Sequence, residues 1–176
     1  MLVMNCATSS SVTFITKSEA SQTAKQRATM VLTIEDVILV SNGESEQLLV
    51  TVKGPPVAQP RMRVRRLPRR VVLFDPSSAE KKALKIMIKN ELVALGVPQF
   101  PLFTANTSLK IAVVFYVANI NKDIDNMLKF VLDVFQGSVY SNDKAICSVN
   151  AQKIHSIDGY EHTEITIENY GLLHAV

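Results

Sequence analysis

Residues 109–137 read LKIAVVFYVANINKDIDNMLKFVLDVFQG. Leu109–Ala118 is an almost unbroken apolar run of strand length, which predicts a strand buried in a sheet. Over Asp125–Gln136 the period changes. Leu128, Val131, Leu132 and Phe135 recur at helical spacing as a core face, and Gly137 supplies a stop. Strand and helix in direct succession predict a mixed α and β domain.

The flanking sequence repeats that mixture. Upstream, Ser77-x-x-Glu80 has the form of a capping box, Leu84, Met87, Ile88, Leu92 and Leu95 follow on one helical face, and Gly96 and Pro98 end the helix. Val31–Val40 and Gln47–Lys53 predict strands joined by a hairpin turn at Ser41–Glu44. Gly54-Pro55-Pro56 ends the second, an Arg-rich, Pro-punctuated loop runs to about Arg70, and Val71–Phe74 predicts a short returning strand. Downstream, Ile146–Ile157 and Thr163–Tyr170 predict two strands around a turn at Asp158-Gly159. No internal repeat is visible.

With 176 residues, 47% hydrophobic and 20% charged, the chain suits one compact domain, expected over residues 30–176. Residues 1–29 are Ser/Thr-rich and carry Lys17, Lys25 and Arg27 against Glu19, the composition of a disordered extension. They also loosely match an organellar transit peptide, but have neither the basic start nor the apolar run of a secretory signal, so an intracellular site is expected. No apolar run approaches the ~20 residues of a membrane span. Cys6 and Cys147 form no C-x-x-C pair, and His155, His162 and His174 lack zinc-site spacing, which excludes a disulfide scaffold and argues against a Cys/His zinc centre. With no Trp and 6% aromatic residues, an extensive stacking platform for single strands is not expected.

The net charge of +3 conceals an asymmetry. Residues 51–110 hold twelve bases and three acids, and the remainder of the chain is net acidic. Arg61, Arg63, Arg65, Arg66, Arg69 and Arg70 fall within ten residues, denser than solubility requires. Lys81, Lys85 and Lys89 recur every fourth residue, a basic stripe on one helix face. A basic block beside an acidic one is the footprint of a polyanion binder that also carries carboxylates.

Those carboxylates are Asp123, Asp125, Asp133 and Asp143. Placed where a strand-end loop meets a helix, Asp123 and Asp125 can converge on one point. Asp125, Lys129 and Asp133 share a helix face distinct from the leucine stripe. Carboxylate oxygens suit Mg²⁺, and a lysine nearby can neutralise a leaving oxyanion. Helix capping by Asp123 or Asp125, with a surface Asp125–Lys129 ion pair, accounts for the same spacing.

Three stretches together resemble the RusA-type Holliday junction resolvases. They are Lys53-Gly54-Pro55-Pro56-Val57-Ala58-Gln59-Pro60-Arg61-Met62-Arg63; Phe74-Asp75-Pro76; and Asp123-Ile124-Asp125-Asn126-x-x-Lys129-x-x-x-Asp133, continued by Gly137–Ile146. The resemblance spans roughly residues 48–170. It implies an α+β fold, a two-layer α/β sandwich with a mixed sheet packed by helices, and a homodimer acting on branched, four-way DNA with Mg²⁺. Asp123, Asp125 and Asp143 would be metal ligands and Lys129 the catalytic lysine, while Asp133 suits a helix-supporting role as well as a ligand role. Lys53, Gln59, the six arginines, Lys81, Lys85 and Lys89 would hold DNA.

One departure is visible: the family's Asp-Asp pair reads Asn142-Asp143. Asp143 is expected at the start of the following strand, facing Asp123 and Asp125 across the end of the sheet. Asn142 is expected as a turn residue suited to left-handed backbone. The competing functions are a catalytically degenerate protein that binds branched DNA without cutting it, and a metal-dependent ribonuclease.

Overall fold

The computed structural model describes residues 2–6, 11–13, 31–41, 45–104 and 107–169. In chain order these form β1 (Leu2–Cys6), β2 (Ser11–Thr13), β3 (Val31–Ser41), β4 (Glu46–Lys53), β5 (Arg63–Leu67), β6 (Arg70–Phe74), α1 (Ser78–Ala94), β7 (Leu109–Val117), α2 (Ile124–Phe135), a one-turn 3-10 helix (Asp143–Ala145), β8 (Ile146–His155) and β9 (His162–Asn169). Of the extension expected over residues 1–29, the described parts are β1 and β2, both antiparallel to β3. Its remainder, and residues 42–44 of the expected hairpin turn, lie outside the described residues.

The main sheet is mixed. Its order is β1-β3-β4-β9-β7-β8, with β2 also on β3, and every neighbouring pair is antiparallel except β7 with β8. Period-two patterning builds one apolar face: Leu48, Val50 and Val52 from β4, Leu109, Ile111, Val113, Phe115 and Val117 from β7, and Ile165 and Ile167 from β9 are all buried. α1 covers this face with Leu84, Met87, Ile88 and Leu92, and α2 with Met127, Phe130, Val131, Val134 and Phe135. Truncating a buried side chain such as Phe130 to Ala costs about 3–5 kcal/mol. The result is the expected two-layer α+β arrangement.

Three details differ from the sequence reading. Ala112, Val114 and Tyr116 of β7 are only half-buried, because the second face of the sheet carries no helix layer among the described residues. Leu128 and Leu132 are half-buried while Met127, Phe130 and Val134 point deepest; α2 is apolar around most of its circumference and seats its aromatic side against the sheet. The capping box does not form. Asp75 Oδ1 accepts from both the backbone N–H of Ser77 (2.9 Å) and its hydroxyl (2.7 Å), so the serine oxygen is turned away from the helix it was expected to cap. Gly96 does end α1, with φ at +82° and its N–H bonded to Val93 O, a geometry a side chain would strain.

The Arg-rich segment is a hairpin rather than a loop. Arg63 pairs with Phe74, Arg65 with Val72 and Leu67 with Arg70 around a two-residue turn at Pro68-Arg69. Alternating β-branched and long side chains support two strands, and proline is tolerated because it sits at the turn.

Candidate active site

The chain leaves β7 at Val117, passes through residues 118–123, returns along α2 and enters β8 parallel to β7. This crossover sets the site. Asp123 occupies the N-cap of α2 and Asp125 its first turn. Asp123 does not use its carboxylate to cap; Oδ2 accepts from the side-chain amide of Asn126 at 3.1 Å. Both carboxylates are exposed, and the Asp125–Lys129 ion pair does not form. Lys129 is exposed one turn along from Asp125. Two hard oxygen donors at the N-cap and in the first turn of one helix, beside a solvated lysine, are a donor set that Mg²⁺ accepts, since that ion takes one or two carboxylates and completes its shell with water and phosphate.

Asp143 is elsewhere. Ile146, which follows its 3-10 turn, pairs with Leu109 at the start of β7, whereas Asp123 follows the end of β7. The 12-residue α2 lies between them, about 18 Å at 1.5 Å per residue. Among the described residues no three His, Cys, Asp or Glu side chains come together to hold a metal. The expected convergence of Asp143 with Asp123 and Asp125 across one sheet end is therefore absent within a single chain. A parallel crossover places the segments before and after its helix at opposite ends of the strands. Asn142 is a turn residue, but not a left-handed one: with φ at −151°, its Oδ1 caps the 3-10 turn by accepting from Lys144 N at 3.0 Å. Nearby, Tyr140 is fully buried and its hydroxyl donates to Leu132 O at 2.8 Å, fastening this segment to the end of α2. Burial, with Asp143 and Asp133 adding to it, pushes the Tyr140 phenol well up.

The basic residues divide into two groups. Gln59 N–H bonds Asn126 O at 2.9 Å, so the basic hairpin springs from the N-terminal turn of α2, beside Asp123 and Asp125. Gln59 Oε1 is buried and has no hydrogen-bond partner among the described residues. Arg61, Arg63, Arg65, Arg66, Arg69 and Arg70 are all exposed, as is Lys53 at the end of β4. The lysine stripe is different. Lys81 Nζ lies 2.7 Å from Asp75 Oδ2 and 2.6 Å from Asp133 Oδ2, with only 12% of its side chain exposed. Burial opposes its charge, but the two carboxylates outweigh burial and raise its pKa. Lys81 is thus held inside the chain by two acids instead of facing phosphate, and Asp133 acts as its support. Lys85 is half-buried, its pKa lowered by burial and by Lys89; Lys89 lies 5.2 Å from the Phe100 ring.

A cluster that sequence reading missed lies on the open sheet face. Tyr116 stacks on His162 with ring centroids 4.0 Å apart and planes 7° from parallel, and Tyr160 packs on the same imidazole at 4.6 Å. Lys53 Nζ lies 5.3 Å from the Tyr160 ring. The pairing of β4, β9 and β7 brings these residues into one row from positions far apart in sequence.

No curated protein matches this chain significantly. A family model described as endodeoxyribonuclease RusA matches residues 53–168. That interval begins at Lys53, takes in the hairpin and both helices, and ends in β9. The family is one of DNA endonucleases that resolve Holliday junctions. Covering well over half of the sequence, the match establishes that this chain belongs to the RusA endodeoxyribonuclease family.

Proposed function

We propose that the protein is a Mg²⁺-dependent endonuclease that cuts four-way DNA junctions as a homodimer inside the cell. The observation that carries this reading is the pair of exposed carboxylates, Asp123 and Asp125, beside a hairpin bearing six exposed arginines. Asp123 and Asp125 would hold the metal, with Asp143 contributed by a second copy of the chain. A single chain keeps Asp143 about a helix length away, and a two-fold axis that brings it to its partner's Asp125 does so reciprocally, giving two equivalent sites. Two sites suit a pseudo-symmetric substrate that needs two opposed cuts.

Bound there, Mg²⁺ would supply an activated water and charge stabilisation on the phosphodiester. Lys129, one turn from Asp125, would donate to the oxyanion of the cleaved strand. The hairpin arginines would hold flanking phosphates without reading bases, so selectivity would follow junction shape. Asn142 does not favour the degenerate reading, because its side chain is engaged in capping the 3-10 turn. The ribonuclease reading rests on the same carboxylates, with nothing in the described residues selecting a 2′-hydroxyl.

The test is a cleavage assay on a synthetic four-way junction, a linear duplex and an RNA hairpin, with and without Mg²⁺. Paired incisions in the junction alone, dependent on Mg²⁺, are expected. Binding of the junction with no incision would favour the degenerate reading, and equal cutting of RNA would favour the ribonuclease.

A further inference from the structure

We propose that the ring cluster on the open face of the sheet is a subsite for one unpaired nucleobase of the bound DNA, an inference that rests on the nuclease reading above. Strand register places Lys53, His162, Tyr116 and Ile154 side by side across β4, β9, β7 and β8. Their side chains project away from the helices. Tyr116, Ile154 and His162, together with Tyr160 and residues 155–158, border an open cleft of about 450 Å³, within the size range of ligand-binding clefts, and Lys53 Nζ lies 5.3 Å from the Tyr160 ring at its edge.

Apart from the His155 imidazole, the polar side chains in this cleft are already engaged. Tyr116 donates its hydroxyl to Glu164 at 3.4 Å, and Tyr160 donates to Glu35. The His162 imidazole meets Tyr160 O through Nδ1 and Glu164 through Nε2. Asp158 accepts from the Ser156 hydroxyl and from the Tyr160 N–H. With the acids turned onto the rings and the loop, ring surface is what the cleft offers. Ile157, 94% exposed, stands at its rim as an aliphatic group that the described residues leave almost wholly uncovered. Fixed rings, an aliphatic rim and a single nearby ammonium group suit a flat, largely neutral heterocycle better than a phosphate, for which one lysine among several carboxylates is a poor receptor.

The cleft's position agrees. Residues 118–123 leave β7 directly beside Tyr116 and carry Asp123. The Lys153 ammonium on β8 donates to Ile120 O and Lys122 O, while Glu161 accepts from the Ala118 N–H and pairs with Lys122. The loop that bears the carboxylate is therefore tied to β8 and to the residue just before β9, the elements on either side of β7 and its Tyr116. DNA lying across this end of the sheet would place a nucleotide close to the cleaved phosphate within reach of the cleft.

The experiment is a binding cycle without divalent metal, using the full chain and synthetic four-way junctions that each carry one abasic nucleotide near the crossover. Loss of a stacked base should weaken wild-type binding by about 5- to 150-fold at one or two positions. The Tyr116→Leu/Tyr160→Leu variant should bind the intact junction more weakly and be insensitive to the same abasic position, with an unchanged salt slope because no phosphate-binding cation is removed. Tyr116→Phe/Tyr160→Phe should keep the coupling. If the double leucine variant does not fold, Tyr160→Leu alone makes the same comparison. Salt-dependent junction binding that is indifferent to every abasic position overturns the subsite while leaving the nuclease reading intact, as does an abasic penalty that persists in the leucine variant. Failure of the wild type to bind any junction overturns the nuclease reading, and the subsite with it.

Discussion

Asp123 and Asp143 stand at opposite ends of α2, the first before its N-terminal turn and the second in the 3-10 turn beyond its C-terminus. If each cleavage centre takes Asp123 and Asp125 from one protomer and Asp143 from the other, complementation follows. Asp125→Asn and Asp143→Asn homodimers should each lose cleavage while still binding junctions. A mixed dimer of the two should regain one intact centre and produce single nicks. Gel assays on co-expressed, differently tagged chains measure this. An inactive mixed dimer would place all three carboxylates in one protomer's site.

Arginine-to-glutamine changes at Arg61, Arg63 and Arg65 should weaken binding to all branched DNAs alike. The slope of log affinity against log salt should flatten by up to about 0.9 for each duplex phosphate that the variant no longer neutralises. Titrations between low and moderate salt report it, and an unchanged slope would place these arginines away from DNA.

Lys81→Met should destabilise the fold by about 1–3 kcal/mol, between the values for exposed and buried pairs, by leaving Asp75 and Asp133 facing each other's charge without a cation. Burial raises the pKa of Asp75, but its bonds to Lys81 and Ser77 hold it below the usual 3.8. Its stabilisation is therefore complete above pH 3.8 and lost as the pH falls through the lower folded value. That of Lys81, whose pKa is raised, is complete below pH 10.5 and lost above it. Denaturant melts across this range should show a plateau in the wild type bounded by these limits, with Lys81→Met lowering the plateau.

Asn142→Asp should leave cleavage intact, because a carboxylate accepts from Lys144 N as the amide does. Asn142→Ala should cost about 0.5–2 kcal/mol of local stability without abolishing metal-dependent activity. Activity against Mg²⁺ concentration for both variants, beside Asp143→Asn, distinguishes a cap from a ligand. Loss of activity in Asn142→Ala with Asp143→Asn active would reverse the two roles.

Much of this was legible in the chain. The β7–α2 succession, the buried face of α1 and the glycine at its end follow from local periodicity and turn chemistry, which depend on neighbours in sequence. What escaped depends on distant neighbours. Lys81 reads as one of three wet lysines until α2 brings Asp133 against it. Tyr116, Tyr160 and His162 carry no shared pattern until β9 is inserted between β4 and β7. The separation of Asp143 from Asp123 required knowing that β8 runs parallel to β7, a fact of pairing direction that no spacing encodes.

The β5–β6 hairpin has a further consequence. Val64, Val71 and Leu73, each more than half exposed, line one side of it, and no third strand or helix covers that side among the described residues. Two strands alone are marginal in water. The hairpin amides should therefore exchange with solvent at opening free energies far below those of β4, β7 and β9, as a separate unit hung on a cooperative sheet. Binding then acts as the missing layer: protection of these amides should rise sharply in complex with DNA, and part of the gross interaction free energy should be spent on ordering the arm, which lowers affinity while every phosphate partner is kept.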